Sequence, residues 1–264
     1  MLSKARGKSE HRWYSFHLVG LCFSMAMRLI PRRRRFGAAV LLARAAVPFV
    51  RRTQAFREQR KGNVDGVREI ALHLVLNTLT KNGTRFDPLI NVNGNEELER
   101  ALAAGRGVLL IAPHMALGLL MVRVFHDAGQ NPIVIAADPQ MRVSGSTLAA
   151  NILQPSPMFL VALRTRLRKG QFVVGMPDRG EHAEGRTIEF DTASGRIILA
   201  PALIQVAARC AANVIFLTVH MEGREVVATM VRPSPASHGS SDAITADFIE
   251  FVRAHVESRF ACNN

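Results

Sequence analysis

Three short apolar runs in the chain each end in residues that can move a proton or hold an anion. The runs are Val108–Ala112, Pro132–Ala137 and Phe172–Met176. The polar residues that follow them are, in order, His114, then Asp138 and Arg142, then Asp178 and Arg179. A neutral histidine can remove a proton from a hydroxyl, a carboxylate can assist the imidazole, and arginines bind phosphate. The pattern predicts base catalysis on a substrate with an anionic head group.

A predicted helix before the third run adds a second group of cations. Phe159–Leu167 has helical apolar spacing, and Arg164, Arg166 and Lys169 lie in it or just after it. With Arg142 and Arg179, these residues are candidate ligands for a phosphate or a carrier protein.

Each of these groups also has a purely structural interpretation. His114 could cap its loop, and Asp178 could be a turn residue after Pro177. The basic residues 164–169 could form a solvated helix face. The sequence leaves these alternatives open.

Several familiar site motifs are absent. The chain has no G-x-S-x-G, no P-loop, no G-x-G-x-x-G after a strand and no H-E-x-x-H. A metal held by His114, Asp178 and His182 is conceivable, but such isolated loop residues are more often not ligands, and we predict neither metal nor cofactor. Cys22, Cys210 and Cys262 form no C-x-x-C pair, which is typical of a protein in a reducing compartment.

The three apolar runs have the composition of strands buried on both faces. They alternate with predicted helices, so we expect an α/β fold with a mixed, mostly parallel sheet covered by helices on both faces. The carboxyl ends of parallel strands meet at one edge, where ligands bind. We also predict a turn at Asn91–Gly94, a helix over Ile197–Ala211, and two late strands at Val214–Val219 and Val226–Val231.

The net charge of +13 is concentrated in the first quarter of the chain. Residues 1–62 contain 15 Lys and Arg against 2 Asp and Glu, whereas residues 63–264 contain 19 of each kind. We therefore divide the chain into a basic N-terminal arm, 1–62, and an α/β body, 63–264.

The arm combines its arginines with two apolar segments, Phe16–Met27 and Phe36–Val50. Arginines beside apolar segments are typical of helices that lie at lipid headgroups. We expect a membrane anchor or an interfacial helix, and we leave a full span open because the first segment is short. Packing of these helices on the body is the alternative. A nucleic-acid-binding arm would give the apolar segments no role.

The order of several blocks resembles the bacterial lipid A late acyltransferases, the lauroyl and myristoyl transferases of the lysophospholipid acyltransferase superfamily. The blocks are Gly107–His114, Leu167–Val174, Met176–Arg179, Ile188–Asp191, Pro201–Leu203 and Ala212–Ile215. The apolar, arginine-rich N-terminus is similar to the membrane anchor of that family. The resemblance covers roughly residues 20–260.

The resemblance implies transfer of a fatty acyl chain from acyl carrier protein or coenzyme A to a hydroxyl of a lipid or glycolipid. It implies a protein at the cytoplasmic face of the inner membrane, with His114 as the base. The family motif places an acid five residues after the histidine, where this chain has Leu119. Asp178 or Glu181 could supply the acid instead. Otherwise the chain would be a weakened or inactive homologue that binds lipid.

Overall fold

The computed structural model describes residues 23–53, 66–86, 88–136, 142–143, 146–147, 151–178, 186–193 and 195–261. Its centre is a seven-stranded sheet. The strands of this sheet are β1 (Ile90–Asn93), β2 (Val108–Ile111), β3 (Ile133–Ile135), β6 (Ile152–Leu153), β7 (Phe172–Gly175), β10 (Asn213–Glu222) and β11 (Glu225–Val231). They lie side by side in the order β1-β11-β10-β2-β7-β3-β6. Every neighbouring pair is parallel except β10 and β11. The predicted α/β fold with a mixed, mostly parallel sheet is confirmed.

Helices and two small hairpins complete the fold. The helices are α1 (Arg32–Val50), α2 (Val67–Lys81), α3 (Asn95–Ala103), α4 (Gly118–Asp127), α5 (Phe159–Arg168), α6 (Ala202–Arg209) and α7 (Ser241–Ala261). Residues 23–29 are also helical. The hairpins pair β4 (Arg142–Val143) with β5 (Ser146–Thr147), and β8 (Ile188–Thr192) with β9 (Gly195–Leu199).

The central strands are buried because helices cover both faces of the sheet. All residues of β2 and β7 are buried. Phe172 of β7 packs edge-on against Phe125 of α4, and Phe216 of β10 packs against Phe248 of α7. The register places Phe172 beside Val108 and Phe216 beside Ile111. Positions 108 and 111 lie on opposite faces of an extended strand, so α4 and α7 cover opposite faces.

Two local predictions are wrong. The expected helix over Ile197–Ala211 begins only at Ala202, since Ile197 and Leu199 pair with Phe190 and Ile188 in a hairpin. Pro201 would remove a hydrogen bond from the interior of a longer helix. The expected turn at Asn91–Gly94 is largely strand β1, which pairs with β11.

The described part of the arm packs on the body. Helix α1 lies against α2 and buries Phe36, Ala39, Val40 and Ala43, which recur at helical spacing. These four residues belong to the main hydrophobic core. The predicted boundary at 62/63 lies outside the described residues. Among the described helices, none has an apolar stretch long enough to cross a bilayer.

Candidate functional site

His114 stands where the chain leaves the centre of the sheet. The backbone N–H of Ala112 still donates to the carbonyl of Gly175 at 3.1 Å, which extends the β2–β7 ladder by one residue. Pro113 has no N–H and ends the strand. His114 follows in a short turn, and α4 begins four residues later.

Asp178 reaches His114 from the end of the neighbouring strand. One carboxylate oxygen of Asp178 accepts a hydrogen bond from the backbone N–H of His114. The other oxygen, Oδ1, lies 3.9 Å from Nδ1 of the imidazole. The Asp178 side chain is 1% exposed and that of His114 is 20% exposed. A buried carboxylate therefore flanks Nδ1 of a histidine whose side chain remains partly exposed.

This geometry suits a carboxylate that orients a base. A distance of 3.9 Å is longer than a hydrogen bond, but contacts of this kind commonly tighten only when substrate binds. A proton on Nδ1 would face Asp178, which leaves the second ring nitrogen, Nε2, as the proton acceptor. The chain has no Asp or Glu between Arg106 and Asp127, so an acid for His114 cannot come from its own segment.

The turn after His114 is held from two further directions. The sulfur of Met115 accepts a hydrogen bond from the backbone N–H of Val219 on β10 at 3.0 Å. The carbonyl of Ala116 lies 2.6 Å from Nδ1 of His73 on α2. A carbonyl can only accept, so His73 Nδ1 carries the proton of this bond. Contacts from three elements thus hold residues 114–116 at the end of β2.

Sequence reasoning did not find the supporting role of His73 and Met115. His73 falls within the helical pattern of α2, and nothing in its local sequence indicates a partner 43 positions away. A methionine in an apolar turn likewise gives no signal for a sulfur–amide hydrogen bond. Both contacts depend on how α2 and β10 pack around the end of β2.

The predicted cationic ligands lie in two places. Arg142 is the first residue of β4, and its side chain lies outside the described part of the structure, as do Arg179 and Glu181. Arg164, Arg166 and Lys169 are exposed along α5 and its C-cap, with Arg166 Nη1 lying 3.5 Å from Gln171 Oε1. The structure brings together His114 and Asp178, and does not bring the described cations to them.

A second feature of the described residues is a cavity of about 310 Å³ at the opposite edge of the sheet. Its lining includes Arg106 just before β2 and Asn213 at the start of β10, together with Arg232 and His238. None of the predicted site residues contributes to it. In the part of the chain that the structure describes, no cluster of His, Cys, Asp or Glu is arranged to hold a metal, and His182 lies outside that part.

Fold and site together define an α/β protein with a histidine–aspartate pair at the carboxyl edge of its parallel strands. Ligands of open α/β sheets bind at this edge. No protein-family model matches the chain, and no curated protein matches it at a significant level.

Proposed function

We propose that the protein is a membrane-associated acyltransferase, which moves a fatty acyl chain from an acyl carrier protein or coenzyme A thioester to a hydroxyl of a lipid or glycolipid. An amine acceptor would follow the same chemistry. The observation that carries the proposal is the buried Asp178 carboxylate beside His114 at the carboxyl edge. The resemblance to the lipid A late acyltransferases supplies the substrate class, with a lipid A-like acceptor as its most specific form.

In the proposed reaction His114 Nε2 removes the proton of the acceptor hydroxyl. The acceptor oxygen attacks the thioester carbonyl carbon, and the carbon–sulfur bond breaks as the new ester forms. The thiolate of the carrier then leaves and takes the proton from His114. The negative charge of Asp178 stabilises the imidazolium between the two proton transfers, as a carboxylate does in other histidine bases.

The exposed apolar side chains of the N-terminal helices support membrane association. Phe23, Leu29 and Phe49 are exposed, and arginines lie between them in the sequence. Apolar side chains next to arginines favour binding at an anionic headgroup layer. We propose the cytoplasmic face of the inner membrane as the site of action, as the resemblance to the lipid A late acyltransferases implies.

Acyl transfer is tested with the purified full chain. Labelled acyl carrier protein and coenzyme A thioesters are incubated with glycerophospholipid and lipid A-type acceptors, and labelled product is separated from donor. We expect transfer by the unmodified protein and none above background by His114→Ala. His126→Ala serves as the matched control, because His126 is an exposed histidine on α4. Equal transfer by His114→Ala and the unmodified protein would contradict the mechanism.

Leu119 favours a second candidate function, a lipid-binding protein with weakened or no catalysis. It stands where the resembled family has its acid, in the first turn of α4. If no donor and acceptor support transfer, Leu119→Glu separates the two candidates. The second candidate is established if the unmodified protein binds lipid without acyl transfer and Leu119→Glu gains acyl transfer. An acid in this first turn also suits the helix dipole, so the variant should fold.

A further inference from the structure

The exposed large apolar side chains of the described residues are concentrated in a few places. Of the ten, five lie in the helical segments 23–29 and α1, and three lie at the start of α5. One precedes β1, and one ends β11. The three residues at the start of α5 are Met158, Leu160 and Val161, which are 64%, 41% and 54% exposed. We name these three residues the α5 tip.

The α5 tip lies at the same edge of the sheet as His114. Helix α5 connects β6 to β7, which run in the same direction, so it must run back from their carboxyl edge to their amino edge. Its far end confirms this direction. Gly107, just before β2, lies against the carbonyl of Leu167, and a Cβ at Gly170 would be 3.2 Å from the carbonyl of Gly105.

Two other exposed features face the same edge. Strand β11 is antiparallel to β10 and parallel to β1, so β1 begins at the edge where β2 ends. Leu89, directly before β1, is exposed there. Arg44 of α1 donates to the carbonyl of Gly223 in the β10–β11 turn at 3.2 Å, which places this part of the basic arm at that edge too.

Cations follow the α5 tip along one stripe of the helix. Leu160, Arg164 and Arg168 are each four residues apart, and both arginines are exposed. At 1.5 Å per residue, Arg164 lies about 6 Å and Arg168 about 12 Å along the axis from Leu160. No Asp or Glu occurs between Asp138 and Asp178 in the sequence. The neighbouring stripe of α5 packs in the core, since Leu163 and Leu167 are buried.

We propose that the α5 tip inserts into an anionic phospholipid surface and turns the carboxyl edge of the sheet toward the bilayer. The apolar tip enters the boundary between headgroups and acyl chains, and Arg164 and Arg168 lie one and two turns higher, at the level of the phosphates. The membrane contact of the protein then has two parts, the N-terminal helices and the α5 tip, with the His114–Asp178 pair at the membrane side. This inference deepens the proposed function by fixing the side from which a lipid acceptor enters.

The most direct test measures whether the α5 tip inserts into a lipid bilayer. The chain has one tryptophan, Trp13. In a Trp13→Phe background, Leu160→Trp is compared with Val231→Trp, a matched probe on an exposed residue at the end of β11. The full-length variants are mixed with phosphatidylethanolamine–phosphatidylglycerol vesicles that contain brominated lipid. We expect a blue shift and strong quenching for Leu160→Trp, and neither for Val231→Trp.

Loss of binding is the second test. Leu160→Ser with Val161→Ser should lower partitioning into these vesicles about tenfold, since two apolar side chains no longer enter the lipid. Arg164→Gln with Arg168→Gln should weaken binding to anionic vesicles roughly fivefold for each arginine and leave binding to phosphatidylcholine vesicles unchanged. Val231→Ser is the control for a polar substitution at an exposed apolar residue, and it should not alter binding.

The outcomes separate this inference from acyl transfer itself, because both binding measurements can be repeated in His114→Ala. Unquenched fluorescence of Leu160→Trp in vesicle-bound protein would overturn the inference, as would unchanged partitioning of the Leu160→Ser, Val161→Ser variant. The α5 variants could instead bind vesicles normally and lose transfer only when the donor is acyl carrier protein. In that case the α5 tip and its arginines are a docking site for an acidic protein, and the inference is wrong. Vesicle binding that depends on the α5 tip in a protein without any transferase activity would sustain the inference and reject the proposed reaction.

Discussion

The backbone N–H of His114 donates a hydrogen bond to the carboxylate of Asp178, a residue 64 positions away in the chain. The same carboxylate lies 3.9 Å from the imidazole of His114. One side chain therefore fixes the backbone of the predicted base and lies beside its ring. Substitutions at Asp178 should separate these two roles.

Asp178→Asn keeps an oxygen that can accept the His114 N–H but removes the negative charge. We expect a folded protein whose acyl transfer falls by as much as ~10⁴-fold, the effect of neutralising the orienting carboxylate of a catalytic triad. Initial transfer rates measure this, with near-ultraviolet circular dichroism to verify the fold. Asp127→Asn, at an exposed carboxylate on α4, is the control. Unchanged transfer by Asp178→Asn would show that the charge does not assist His114.

Asp178→Ala should also affect folding. It leaves the His114 N–H without its acceptor in a largely buried turn, which costs about 1–3 kcal/mol of unfolding free energy. Urea denaturation of Asp178→Ala and Asp178→Asn measures the difference. Equal stability of the two variants would mean that the backbone hydrogen bond contributes little.

His73 holds the turn after His114 from α2 through the carbonyl of Ala116. His73→Phe retains a planar ring and loses the donor, so we expect a loss of about 0.5–1.5 kcal/mol in unfolding free energy. Amide hydrogen exchange should become faster at Leu117 and Gly118, because the turn is less restrained. His126→Phe, on the exposed side of α4, should leave exchange in the turn unchanged. If these amides exchange equally slowly in His73→Phe and in the unmodified protein, His73 does not position the turn after His114.

Thr218 on β10 is 1% exposed, and its hydroxyl has no hydrogen-bond partner among the described residues. Burial of an unsatisfied hydroxyl is unfavourable. Thr218→Val has nearly the same shape, so we expect the unfolding free energy to rise by about 1 kcal/mol. Urea denaturation measures it, and Thr218→Ser, which keeps the hydroxyl, should show no gain. Destabilisation by Thr218→Val would show that the hydroxyl has a partner in solution.

Alanine substitution of two phenylalanines of α1 should have different effects on the unfolding free energy. Phe36 is 3% exposed and packs in the core, so Phe36→Ala should cost about 3–5 kcal/mol of unfolding free energy. Phe49 is 73% exposed, and Phe49→Ala should change stability by less than about 0.5 kcal/mol while lowering binding to anionic vesicles. Thermal unfolding measures the stability of both variants, and co-sedimentation with anionic vesicles measures their binding. A large loss of stability in Phe49→Ala would show that Phe49 is a packing residue.

Much of the fold could be predicted from the sequence because its signals are local. The buried runs of β2 and β7 are short, uninterrupted apolar segments with Gly or Pro near their ends, and this combination favours buried strands. A secondary-structure prediction was wrong where the local sequence is compatible with more than one element. The Ile197–Leu199 segment has an apolar content that suits helix or strand equally, and only its pairing with Ile188 and Phe190 decides the outcome.

The sequence by itself determined the residues of the candidate site and their neighbourhood: a histidine and an aspartate after apolar runs, a basic apolar arm, and no Asp or Glu between Arg106 and Asp127. Only the tertiary structure decided that Asp178 meets His114, since this depends on β7 pairing directly with β2. It also decided that α1 packs on α2, and that the α5 tip lies at the edge of the sheet with His114. The physical reason is that local periodicity specifies which face of a strand or helix is buried, whereas strand order depends on contacts between segments far apart in the chain.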